Sequence, residues 1–126
     1  MLVVGWLRND PGRNPPPAGY AEAACAAFAH LSAGTDALAD ADPSTVNVEI
    51  SRADGSLASL PAWEPGRAFE DLLASLLATL LRSTTAASDG SLETARNLVA
   101  DVRAALAERR YGFDCGAASL SPLPSP

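Results

Sequence analysis

Between residues 69 and 82, Phe69, Leu72, Leu73, Leu76, Leu77, Leu80 and Leu81 recur at three- and four-residue spacing, which predicts a helix with a broad apolar stripe. Glu70 and Asp71 sit in its first turn, where negative charge complements the helix dipole. No charged residue lies between Asp71 and Arg82. The side opposite the leucines carries Ala74, Ser75, Ala78 and Thr79, small residues that let a second surface approach closely. This helix is therefore expected to be enclosed on two sides, either within the fold or by a partner.

A second helical pattern runs over residues 20–33. It is rich in alanine, with Ala24, Phe28 and Leu31 sharing a face and Gly34 available as a stop. A third begins at Asp89 or Ser91 as cap and places Leu92, Ala95, Leu98, Val99, Val102 and Leu106 on its inner side. Its outer side carries Glu93, Arg96, Asp101, Arg103 and Glu108, the solvated pattern that residues 69–82 lack.

Strict alternation marks a different element. Val46, Val48 and Ile50 point one way, Asn47, Glu49 and Ser51 the other, and Asp54-Gly55 supplies a turn pair, so residues 45–60 read as a β-hairpin ended by Pro61. Residues 2–7, Leu-Val-Val-Gly-Trp-Leu, read as a first strand, and residues 35–43 as an exposed acidic connector. The expected order is β-α-β-β-α-α: a small mixed or antiparallel sheet in an α+β fold, with helices packed on one face and the leucine-rich helix central. Residues 1–113 form one domain, and 114–126 a loosely ordered Pro/Ser tail. The hairpin stretch, with a helix on each side, resembles the small nucleoid-associated YbaB/EbfC proteins, a likeness that covers only the middle half of this chain. The first strand, the third helix and the acidic charge depart from that pattern, and no family is assigned.

Composition then narrows the function classes. The chain has 126 residues, 15 acidic against 9 basic, and a net charge of −6, a balance that repels phosphate backbones and argues against nucleic acid as a partner. Every basic residue is Arg, which with abundant Ala, Gly and Pro points to a high-GC coding sequence. The apolar run at residues 72–81 is about half the length a bilayer core requires, so no membrane partner is expected. Cys25 and Cys115 fit no zinc or redox spacing, and reduced thiols in a cytoplasmic setting are expected.

Candidate chemistry is sparse. His30 is the only histidine, the residue type suited to acid–base chemistry at neutral pH, but it falls in the last turn of the predicted first helix, where a positive charge is stabilising without catalysis. Cys25 lies five positions away, about 140° round the helix, so the two form no dyad. No phosphate-binding glycine motif occurs, and the acidic runs lack the glycine and terminal Glu of a calcium loop. No catalytic residue, metal ligand or cofactor is assigned, and an enzyme is the less favoured reading.

Two functions remain. The first is a noncatalytic interaction or accessory protein, binding another protein or itself as a homodimer through Ala74, Ser75, Ala78 and Thr79, with the loop residue Trp63 as a packing anchor or contact. The alternative is a small-molecule-binding protein or small enzyme with an apolar pocket lined by Trp6, Phe28, Val48 and Leu76, where Glu49 or His30 supplies polarity.

Overall fold

The computed structural model describes residues 15–85, 89–108, 110–113 and 115. The described residues form four α-helices and no strand: α1 Tyr20–Ala39, α2 Pro43–Ala58, α3 Arg67–Thr85 and α4 Asp89–Ala107, with a 3-10 turn at Glu64–Gly66. The expected α+β fold with its sheet is thus corrected to an all-helical one. The proposed first strand at residues 2–7 lies outside the described residues.

The hairpin prediction fails for a definable reason. Val46, Ile50 and Ala53 are buried and Leu57 is partly so, a stripe at i, i+4, i+7 and i+11 that fits one side of a helix as well as Val46 and Ile50 fit one side of a strand. The third member of the alternation, Val48, is 46% exposed. The start signal lies in what reads as a connector. Asp42 caps α2, accepting from the Thr45 backbone N–H at 3.2 Å and from its hydroxyl at 2.7 Å, and Pro43 occupies the first helical position, where its missing N–H removes no helix bond. These bonds, the hydroxyl's first, hold the Asp42 carboxyl below the ordinary carboxylate range. Gly55, read as the hairpin turn, sits on the outer side of α2 with open space where a side chain would be.

α1 also runs further than its composition implies. Gly34 does not stop it; a Cβ there would stand 3.0 Å from Leu80 Cδ1 and 3.4 Å from Glu49 Cβ, so the missing side chain lets α2 and α3 close on α1. The helix continues to Ala39, and only Ala41, with φ of 57°, turns the chain towards α2.

α1 and α3 each touch all the other helices, whereas α2 and α4 do not meet, so α1 and α3 make a central pair flanked by the other two. The core between them holds Phe28, Leu31, Phe69, Leu73, Leu76 and Leu80, with Val46 added from α2 and Val102 from α4. No helix among the described residues is long and apolar enough to cross a membrane.

Candidate functional site

α3 presents two unlike sides. Phe69, Leu73, Leu76 and Leu80 are fully buried, and Leu72 and Leu77 partly so. Ala74, Ser75 and Ala78 are exposed, and Leu81, which continues the same stripe, is 47% exposed. Thr79, placed on that side by sequence, is instead buried and turns its hydroxyl back to the Ser75 carbonyl at 2.8 Å. Nothing among the described residues covers the Ala74–Ser75–Ala78 face. The expected enclosure on two sides is therefore not completed by the described residues.

Trp63 is 8% exposed and belongs to an aromatic cluster at one end of the central pair. Its ring meets Tyr20 edge-on with centroids 4.8 Å apart, and Phe113 packs against Tyr20, Phe69 and Trp63 at 6.0, 5.7 and 6.4 Å. Tyr111 adds a contact to Phe69 at 5.3 Å. The Tyr20 hydroxyl donates to Glu70 Oε2 at 2.6 Å and lies 3.4 Å from the Gly66 carbonyl. Burial first, and then the carboxylate beside it, push the phenol well above its ordinary range. Gly66 is required here by space, because a Cβ would meet the Tyr20 hydroxyl and come within 2.7 Å of Trp63 Cε3.

The two cysteines, expected to be free thiols, are joined. Cys25 on α1 and Cys115 form a disulfide across 90 positions of sequence, with Cα atoms 5.5 Å apart, and each is buried. Cys25 is thereby removed as a nucleophile. A disulfide persists in oxidising compartments and is rare in a reducing cytosol, which also counts against the expected thiol state.

Among the described residues, the proposed pocket lining is not brought together around a cavity. Phe28 and Leu76 are sealed in the core, Val48 faces outward, and Trp6 lies outside the described residues. His30 and Glu49 do come together: His30 Nδ1 is 2.8 Å from Glu49 Oε1, and Arg52 Nη1 is 3.9 Å from Glu49 Oε2. Since α1 extends to Ala39, His30 lies in mid-helix and not in a last turn, and its role is to tie α1 to α2. Among the described residues, no group of three or more His, Cys, Asp or Glu is placed to hold a metal.

Open clefts among the described residues lie elsewhere. One, of about 280 Å³, is lined by Leu38, Ala41, Asp42, Pro43, Val46, Ser83 and Thr84, where the α1–α2 turn meets the end of α3. The other, of about 220 Å³, lies between α1 and α4 and is polar, with Ser32, Thr35 and Asp36 facing Arg96 and Arg103. Arg103 donates to the buried Ser32 hydroxyl at 3.3 Å. Sequence reading missed both clefts. The spacing of Arg96 and Arg103, seven residues apart on one helical side, was the only available signal for the second.

No protein-family model, curated protein or solved structure matches this chain.

Proposed function

We propose that the chain is a noncatalytic interaction or accessory protein that binds another protein, or a second copy of itself, through the outward side of α3. The supporting observation is the uncovered surface of Ala74, Ser75 and Ala78, extended by half-exposed Leu81, on a helix with no charge between Asp71 and Arg82. In a chain with net charge −6, an exposed helix side eleven residues from charge to charge is where another apolar surface meets least desolvation cost. Trp63 supports this reading only from beneath, as a packing anchor, because it is buried. Nucleic acid is a poor partner on charge grounds. The bonded form, with Cys25 and Cys115 joined, belongs to an oxidising setting more than to the cytoplasm.

Sedimentation of the full chain tests the reading, with Ala78→Glu as the probe. Self-association that weakens in the variant, with helicity unchanged, supports a homodimer. A monomer at all concentrations, with no binding protein captured by the wild type and lost by the variant, refutes the proposal. The alternative of a small apolar ligand is favoured by the cleft at Leu38, Pro43 and Val46, close to the lower end of ligand-pocket volumes of about 300 Å³. Thermal stabilisation by an apolar compound that is lost in Val46→Glu would support it.

A further inference from the structure

Beyond α4 the described residues leave regular structure, yet they stay packed on the fold. The Arg110 N–H closes on the Ala105 carbonyl at 3.1 Å, and Gly112, at φ of 80°, makes the left-handed turn that a side chain would resist. Phe113 then drops among Tyr20, Trp63 and Phe69, and Cys115 reaches Cys25. Tyr111, Phe113 and Cys115 thus pack on an aromatic floor whose own parts are held by other elements, Tyr20 by α1 and its bond to Glu70, Phe69 by α3. None of the described residues 110–113 and 115 lies in a helix or strand. The contacts described for it are the Tyr111 and Phe113 rings, the Arg110 bonds to Ala105 and Glu108, and the disulfide, set against the entropy of fixing about six residues of backbone.

We propose that the Cys25–Cys115 disulfide is a reducible latch: a dithiol reductant opens it, Tyr111, Phe113 and Cys115 leave the floor, and Tyr20, Trp63 and Phe69 become exposed while the four helices persist. The exchange balances. One thiolate of the dithiol attacks a protein sulfur, expelling the other cysteine as thiolate, and the second thiol of the reductant closes on the mixed disulfide. The dithiol is oxidised to its disulfide, and the protein gains two thiols, with the protons supplied by the reductant and solvent.

The full chain carrying Trp6→Phe, so that Trp63 is the sole tryptophan, is compared with and without dithiothreitol. Thiol alkylation counts the opened bond, hydrogen exchange follows residues 110–115, Trp63 emission follows the floor, and far-ultraviolet circular dichroism follows the helices. The expected result is alkylation of both cysteines and at least about tenfold loss of exchange protection at 110–113. Trp63 emission moves to the red, and helicity is retained. The Cys25→Ser/Cys115→Ser variant should show the same state without reductant. Unchanged protection after reduction would overturn the proposal, since the aromatic contacts alone would then hold the segment. So would cooperative loss of helicity, which would make the bond a staple for the whole domain, or resistance to dithiothreitol under native conditions.

Discussion

Gly55→Ala separates the observed helix from the hairpin that the local sequence suggests, because the two give opposite signs. In α2, residue 55 is exposed on the outer side, its φ is not positive, and an added Cβ meets no atom within 4 Å. Glycine in a helix interior is less favourable than alanine by about 0.8–1.0 kcal/mol. Residue 55 lies in the last turn of Pro43–Ala58, where the helix is held by the Ser59 hydroxyl on the Gly55 carbonyl at 3.1 Å. Some of that benefit is lost to fraying, so the expected gain is about 0.5 kcal/mol. In an Asp-Gly hairpin turn the same alanine would be forced into the left-handed region at a cost of about 1–2 kcal/mol. Urea unfolding of the oxidised chain and the variant, read as a midpoint shift at constant slope, measures the difference. A higher midpoint for Gly55→Ala is expected. A loss of more than about 0.5 kcal/mol, outside the usual range for a neutral surface change, would refute the helical account of residues 43–58.

Gly66→Ala should be costly, by about 2–4 kcal/mol, because it overpacks a rigid aromatic cluster and dislodges the Tyr20 hydroxyl from Glu70. In a Tyr20→Phe background, where no hydroxyl remains to dislodge, the cost should shrink by about 1 kcal/mol or more; equal costs in the two backgrounds would show that the sites are not coupled. The raised pKa of Tyr20 predicts a pH dependence as well. The folded phenol keeps its proton where the unfolded one, titrating near the ordinary tyrosine value of about 10, begins to lose it. Its contribution is therefore complete below that pH and is lost as pH rises above it, with a slope approaching about 1.4 kcal/mol per pH unit, and Tyr20→Phe should flatten the slope measured by urea unfolding between pH 9 and 11.

The periodicity of residues 69–82, the alanine-rich run from Tyr20 and the stripe from Ala95 to Leu106 each carry a helical repeat too long to suit a strand, and each is a helix in the structure. Periodicity determined these three because a helix is mostly stabilised by burying one continuous side, which the sequence spells out locally. The same logic was ambiguous for residues 46–57. Val46 and Ile50 belong to both a strand side and a helix side, and the choice fell to tertiary contact with α1 and α3, reinforced by the Asp42–Pro43 cap that composition alone presents as a connector. Gly34 shows the same limit: it resembles a stop until the neighbouring helices explain why no side chain fits.

The site divides in a similar way. The absence of charge on the outer side of α3 was legible, because it depends on residue type at fixed spacing. Whether anything covers that side was not, and the described fold leaves it open at Ala74, Ser75 and Ala78. His30 with Glu49, 19 positions apart, Tyr20 with Glu70, 50 apart, and Cys25 with Cys115, 90 apart, are products of the tertiary structure alone. Local sequence determines which side of a helix is apolar. Only the packing of α1 against its neighbours determines which distant residues share an environment, because each such contact depends on the register and crossing of helices that no single segment encodes.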